Sequence, residues 1–269
     1  MSEQDITFSG AVPANYDRYL GPMFFQPYAE DLAERLQVRP NGSVLELACG
    51  TGILTRVLRS RLAPTVKLMA TDLNEPMLQN AIGKFHAGES VQWHEVDATN
   101  LPFADATYDA VVCQFGLMFV PDKRAAVRET YRILKPGGSF LFNVWDAMKH
   151  NELAKIAHQT IVSFFDRDPP NFYEVPFGYH DRGEIEKLMT QEGFRAIQIS
   201  VVAKESKASQ AENAAKGLVE GNPVVVAITE RDPSLVPKIT DAIAAAIKSR
   251  FGDVSVRAPM RAIIVQAHR

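Results

Sequence analysis

The nine residues Val44-Leu45-Glu46-Leu47-Ala48-Cys49-Gly50-Thr51-Gly52 constrain this chain more than any other stretch. Three β-compatible apolar residues lead into a tight run with glycines at 50 and 52. An amphipathic helical pattern follows at once: Ile53, Leu54, Val57, Leu58 and Leu62. The reading is strand, glycine turn, helix, with the carboxylate of Glu46 near the strand's end. Glycine is needed where the backbone takes unusual dihedrals or lets a ligand approach closely. The free N–H groups of the helix start point into that turn, so a nucleotide or an anion is the expected occupant.

Around this turn, strand and helix patterns alternate. Pro27 opens a helix carrying Tyr28, Leu32 and Leu36 on one face, preceded by an aromatic-rich segment from Val12 to Pro22 and a loosely held N-terminus. Strands are expected at 43–47, 66–71, 91–96, 110–115 and 139–145. Helices are expected at 52–62, from Pro76 to about Phe85, and after an N-capping Asp122. Lys135-Pro136-Gly137-Gly138 reads as a turn without chemistry. Parallel strands need crossover helices, so the product is an α/β fold with a doubly wound sheet. Beyond it come an amphipathic helix within 146–180, a helix at 181–192, a strand at 196–203, helices near 207–220 and 234–251, and a strand at 260–267. The sheet is thus seven-stranded and mostly parallel, with helical cap insertions. Four segments result: an N-terminal lid and helix at 1–40, a ligand-binding core at 41–145, a cap insertion at 146–180, and a C-terminal half of the sheet at 181–269. That last segment carries a helical insertion at about 205–257.

The net charge of −3 comes without a long basic block, which argues against a nucleic-acid partner. Cys49 and Cys113 have no C-x-x-C partner, so they read as buried thiols in a reducing compartment, with no metal site. No apolar run reaches the ~18 residues of a membrane span, and the polar first residues are unlike a secretory signal. A cytoplasmic protein is expected.

Ligands of open α/β sheets lie beyond the carboxyl ends of the strands, at the switch point of strand order. Four features fall there: Glu46 with its glycine loop, Asp72, Asp97, and Gln114-Phe115. Asp72 follows Gly52 by 20 residues, where a carboxylate can hold both ribose hydroxyls. Asp97 ends the third strand, within reach of an exocyclic adenine amine. The nicotinamide fingerprint G-x-G-x-x-G would fall on Ala48, Gly50 and Ile53, and isoleucine is wrong where close helix packing needs a small residue. No Walker lysine is present. Glu46 suits a cationic ligand.

In these residues the chain resembles the class I S-adenosylmethionine-dependent methyltransferases, most closely the small-molecule group that includes the ubiquinone/menaquinone C-methyltransferases. The likeness is carried by Val44–Gly52, Thr71-Asp72-Leu73-Asn74, Asp97-Ala98, Tyr108–Phe115 and Leu134–Gly138, and it covers roughly residues 40–145. Ala48 departs from the pattern, standing where many members have the first glycine. The resemblance implies a Rossmann-like methyltransferase fold, and roles follow from it. Ala48, Gly50 and Thr51 would line the methionine moiety, Asp72 would hold the ribose, and Leu73 and Met77 would flank the adenine. Asp97 and Ala98 would bind the adenine edge, while Gln114 and Phe115 would lie beneath the sulfonium. Tyr16, Arg18 and Tyr19 would close over the cofactor.

Methyl transfer from a sulfonium is a direct in-line displacement, so the protein chiefly aligns the groups and excludes water. A base is needed only where the acceptor must lose a proton. Asp146, His150, Tyr179 and His180 are candidates, none compelling; Asp146 reads equally as a cap for the following helix. The O, N or C nucleophile is left open, as is a monomer or a homodimer. Gln114-Phe115-Gly116-Leu117 lacks the motif of DNA amino-methyltransferases. Aromatics of the cap (Phe164, Phe165, Phe172, Tyr173, Phe177 and Tyr179) suit a small aromatic or apolar acceptor, or else simply pack the cap. Two other classes stay open: a non-catalytic S-adenosylmethionine- or nucleoside-binding protein, and a dinucleotide oxidoreductase. His94, His158 and His268 read as structural or exposed.

Overall fold

The computed structural model describes residues 8–86 and 88–269. The expectation of a loose N-terminus therefore lies mostly outside the described residues. The chain divides into two compact units, each built from several segments.

The first unit contains Tyr28–Trp145, Tyr179–Val202 and Ala262–Arg269. Its leading helix belongs to a run that starts earlier: α1 (Val12–Asn15), a π-helix at Tyr16–Phe25, then α2 (Gln26–Arg35) without a break. β1 (Ser43–Leu47), α3 (Ile53–Arg61), β2 (Lys67–Asp72), α4 (Glu75–Ile82), β3 (Val91–Glu95), β4 (Tyr108–Gln114) and α5 (Lys123–Ile133) follow in alternation. Next come β5 (Leu134–Trp145), α6 (Glu152–Ser163), α7 (Arg182–Gln191) and β6 (Arg195–Gln210). The last elements are α8 (Ala211–Glu220), α9 (Val224–Arg231), α10 (Leu235–Phe251) and β7 (Val254–His268). The sheet has seven strands in the order β3-β2-β1-β4-β5-β7-β6. The first five pair in parallel, and β7 runs antiparallel to β5. Strand order reverses between β1 and β4, the switch point of the sheet. Val44, Leu45, Val111, Val112, Phe140 and Phe142 are buried there, as expected of strands covered on both faces.

Local chemistry fixes the ends. Asn74 and Asp122 cap α4 and α5 through their side chains, accepting from the Met77 and Ala125 amides. The Arg132 guanidinium donates to the Leu101 and Phe103 carbonyls and pairs with Asp105 and Glu129, which holds the loop after β3. Lys135-Pro136-Gly137-Gly138 is not a free turn. It lies within β5 at a register shift against β4, with Gly137 at φ 78° and its amide on the Arg269 carbonyl. Lys135 also pairs with Asp109 at 2.7 Å, and Asp109 accepts from the Ser43 amide and hydroxyl, tying β1, β4 and β5 together.

The second unit comprises the described residues up to Pro27, Asp146–Gly178 and Ala203–Arg261. It differs from the sequence reading in three places. The 12–22 segment is helical, because the π turn around Pro22 avoids the α-type bond that proline cannot make; the Gln26 amide reaches the Gly21 carbonyl, five residues back. Helix α9 forms despite three successive valines, with Val224 and Ile228 buried. β6 and β7 run on to Gln210 and back to Val254, beyond their expected ends. The polar stretch Lys204–Lys207 hid this extension, although Ser206 is buried and donates to the Ala258 carbonyl at 3.0 Å. Within the unit α8 packs on α10 and on the π-helix. Gly217 and Gly221 allow that approach: a Cβ at Gly217 would lie 2.8 Å from Tyr19 Cβ and 3.0 Å from Leu20 Cδ2. Among the described residues no helix is long and apolar enough to cross a membrane.

Candidate active site

The carboxyl ends of β1, β2 and β4 build one constellation. After β1 the chain turns through Ala48 (φ 52°), Gly50 (φ 56°) and Gly52 (φ 78°), three left-handed residues within five. Such a turn favours glycine, and a non-glycine residue tolerates it only where the surroundings hold it. The surroundings come from β2. The Cys49 amide donates to the Thr71 carbonyl at 2.9 Å, and the Gly50 amide donates to Asp72 Oδ2 at 2.7 Å. The other carboxylate oxygen of Asp72 takes the Asn74 amide at 2.8 Å. Burial pushes the Asp72 carboxyl above its ordinary range, against the pull of those amides.

Register and alternation place Glu46, Asp72, Gln114 and Asn143 on one face of the sheet. Three of these four carry a buried polar atom without a hydrogen-bond partner among the described residues: Glu46 Oε2, Gln114 Oε1 and Asn143 Nδ2. Glu46 is 1% exposed, and burial raises its pKa to about 8. The neighbouring Thr55 hydroxyl works against that rise, and the Asp72 charge adds to it. Glu46 is therefore largely a neutral acid at pH 7, ready to ionise when a cation approaches. Orphaned polar atoms cost free energy unless something meets them. Three of them on adjacent strands at the switch point, beside a glycine turn, fit a polar, cationic nucleoside.

The remaining expected residues are placed as follows. Leu73 is 65% exposed, one of two large apolar side chains so exposed among the described residues. Met77 is buried, its Cε 3.6 Å from where a Cβ on Gly50 would stand. Thr51 is buried. Asp97 is exposed and accepts the Thr99 amide at 2.8 Å, with Ala98 half-buried beside it. Phe115 is buried at φ 50°, stacked on Trp145 at 3.9 Å with Tyr28 edge-on at 5.4 Å. It thus belongs to an aromatic cluster.

Tyr16, Arg18 and Tyr19 lie in the helical unit, where Tyr16 stacks on Phe25 at 4.7 Å and Arg18 lies over the Tyr19 ring. Asp146 and His150 also lie there. Arg261 pairs with Asp146 at 2.9 Å and reaches His150 Nδ1 at 3.4 Å. Asp146 does not cap α6; its Oδ1 accepts the Ala147 amide. His180 is exposed, and the Tyr179 phenol is pushed up to about 12 by burial and by Glu184. Cys49 and Cys113 are buried with raised pKa values, Cys113 to about 12, as inert thiols should be.

Sequence reasoning missed Asn143 and Gly116. Asn143 Oδ1 accepts the Phe115 amide at 2.9 Å, fixing the left-handed bend after β4. An asparagine in an otherwise apolar strand was the available signal. Gly116 is where that bend meets the loop after β1: a Cβ there would lie 2.4 Å from Ala48 Cβ.

Residues 45–142 match the methyltransferase-domain family. The chain is 33% identical over 174 residues to a ubiquinone/menaquinone biosynthesis C-methyltransferase UbiE of Ectopseudomonas mendocina, covering 60% of this chain and 68% of that protein. It is 40% identical over 176 residues to the protein of the same name from Klebsiella pneumoniae, covering 60% and 69%. A Haemonchus contortus phosphoethanolamine N-methyltransferase 2, solved with S-adenosylmethionine, shares the fold with a TM-score of 0.61 at 16% identity, over 96% of this chain and 56% of that one.

Proposed function

This chain belongs to the class I S-adenosylmethionine-dependent methyltransferases, and we propose that it methylates a carbon of a small aromatic acceptor. The observation that carries the donor half is the row of unpartnered polar atoms on Glu46, Gln114 and Asn143 beside an Asp72 already oriented by the Gly50 and Asn74 amides. S-adenosylmethionine supplies a methyl group already activated on a sulfonium.

The chain's own residues then bind and align. Asp72 holds the ribose hydroxyls with a carboxylate preorganised by two backbone amides. Exposed Leu73 offers an apolar wall for the adenine, with Asp97 and Ala98 at its edge. The backbone of Ala48, Gly50 and Thr51 lines the methionine moiety, and Glu46 gives up its proton to meet positive charge. Gln114 and Phe115 form the floor near the reacting centre. Closely held groups of this kind lower the barrier chiefly through alignment and exclusion of water.

The relatives are named as C-methyltransferases of ubiquinone and menaquinone biosynthesis, which supports a carbon acceptor. Tyr179 keeps its proton at neutral pH and is a poor base, while Asp146 is held in its ion pair with Arg261. A hydroxylated aromatic acceptor, whose ring oxygen drives electrons to the adjacent carbon, needs the least help from such groups.

The test has two arms. Calorimetry should detect binding of S-adenosylmethionine and none of NAD; the reverse result would overturn the donor assignment. A panel of hydroxylated aromatic and quinol compounds, followed by S-adenosylhomocysteine formation and by the position of the new methyl, should give ring-carbon products. Turnover confined to amines would reject the carbon acceptor.

A further inference from the structure

We propose that Gly116 is a positioning residue for the donor loop, acting through a size-matched contact with Ala48. The inference rests on the donor reading of Ala48–Gly52 and adds what sets that loop's position. A Cβ at Gly116 would lie 2.4 Å from Ala48 Cβ and 2.9 Å from Cys113 Sγ, closer than carbon atoms approach without displacement.

One partner of this contact cannot retreat. The bend after β4 is held by the Phe115 amide, which donates to Asn143 Oδ1 at 2.9 Å and lies 3.2 Å from the Asn143 carbonyl. Phe115 is further locked at φ 50° by its stack on Trp145 and by Tyr28, whose hydroxyl donates to the Val202 carbonyl. Gly116 itself accepts the Phe119 amide at 2.9 Å. The other partner is strained: Ala48 sits at φ 52°, a conformation that an L side chain keeps only under constraint.

A methyl group added at position 116 therefore drives Ala48, and with it the Cys49 and Gly50 amides that hang on Thr71 and Asp72. The pair also accounts for how an alanine can stand at this left-handed position. Ala48 restricts the loop, and the missing side chain at 116 leaves room for its methyl. Close backbone approach of this kind is a recognised reason for glycine outside a turn.

The test is a set of S-adenosylmethionine affinities measured by calorimetry, each with a melting temperature. Gly116→Ala should weaken binding by about tenfold or more, and adding Ala48→Gly should recover most of that loss, as expected of coupled neighbours. Ala48→Gly alone should weaken binding a few-fold through the freedom glycine adds to the loop, and by less than Gly116→Ala does. Cys113→Ala in the Gly116→Ala background should raise the melting temperature without recovering affinity.

Wild-type affinity in Gly116→Ala, or recovery by Cys113→Ala rather than Ala48→Gly, would overturn the proposal. If Gly116→Ala does not fold, the Ala48→Gly/Gly116→Ala double variant decides. A folded double variant binding nearly as wild type supports the coupling, and a double variant that fails to fold or bind sinks it. Failure of the wild-type protein to bind S-adenosylmethionine would instead remove the donor reading itself.

Discussion

Both units bury polar atoms without hydrogen-bond partners, but they arrange them differently. In the helical unit, Tyr173 donates to the Leu218 carbonyl at 2.6 Å, Asn222 donates to the same carbonyl, and Ser206 donates to Ala258. Asn151 bridges the Asp146 carbonyl and the Arg261 amide. These groups answer one another, and of the five residues there that keep an unmatched buried atom, Asp146, Arg261, Glu152 and Asp253 sit in ion pairs, which leaves His158. In the sheet unit, Glu46, Gln114 and Asn143 keep buried atoms without partners among the described residues, and they gather on one face at the switch point. A domain tolerates that cost where a ligand is to arrive. The difference is one of gathering: uncharged partners are missing together on one face in the sheet unit, whereas in the helical unit the unmatched atoms belong mostly to groups already in ion pairs.

The largest expected effect tests whether Glu46 is held neutral. Its folded pKa of about 8 exceeds the ordinary 4.5, so the folded state binds the extra proton between those values. Stability should therefore be full below pH 4.5 with respect to this group, fall as pH rises towards 8, and level off above. The loss is on the order of 5 kcal/mol for a fully buried group. Glu46→Gln should abolish it, so the melting temperature of the variant should exceed that of wild type at pH 9 and match it near pH 5. Donor affinity should run the other way in wild type, climbing towards pH 8 as ionisation becomes easy. Identical pH profiles for wild type and variant would break the contrast between the units.

Asp72→Ala comes next. It removes the proposed ribose acceptor and orphans the Gly50 and Asn74 amides, a loss of about 3 kcal/mol or roughly a hundredfold in S-adenosylmethionine affinity. Calorimetry at fixed pH measures it directly. A variant that binds the donor as wild type does would undo the ribose assignment.

How much of this was legible beforehand follows the same division. The glycine turn at 50 and 52, the carboxylates at the strand ends and the cap Asp122 act through neighbours in sequence or through strand alternation, so the residues announce them. All seven strands were legible for the same reason, although β6 and β7 reach further than their apolar cores. What the sequence hid depends on contacts distant along the chain. Gly116 matters because Ala48 stands opposite, 68 positions away, and Asn143 matters because it meets Phe115. In the helical unit the π-helix was hidden because Gly21-Pro22 carries the signature of a break. The packing of Leu20 against Gly217 and Gly221 favours continuation instead, and nothing local records that.

Tyr173→Phe probes the helical unit. The substitution keeps the ring and removes a buried hydroxyl that donates to Leu218 and lies 3.4 Å from Asn222 Nδ2. The carbonyl keeps Asn222 as a donor, so the loss should be about 1–2 kcal/mol in chemical denaturation. Phe172, Tyr173 and Phe177 are all buried, which makes packing the primary duty of these cap aromatics. Donor affinity should be unchanged. A change in affinity as large as that of Asp72→Ala would mean that the helical unit also carries donor recognition through this hydroxyl.

The smallest effect belongs to the opposite end of the sheet unit from the proposed site. Lys135 pairs with Asp109 at 2.7 Å, but the lysine side chain is 42% exposed, so water screens much of the attraction. Asp109 keeps the Ser43 amide and hydroxyl when the lysine is removed, and its carboxyl, now held low by Lys135 and Ser43 against burial, should move back up. Lys135→Ala should therefore cost no more than about 1 kcal/mol, with the loss shrinking further in high salt. The sign with pH is that of a depressed acid: the contribution is present above the ordinary carboxyl range and disappears as pH falls through the folded value. Denaturation at low and high ionic strength measures both. A loss of several kcal/mol would show that the ends of β1, β4 and β5 depend on this ion pair, and the orphaned groups at their other ends would then be held in place from below as well as by the turns around them.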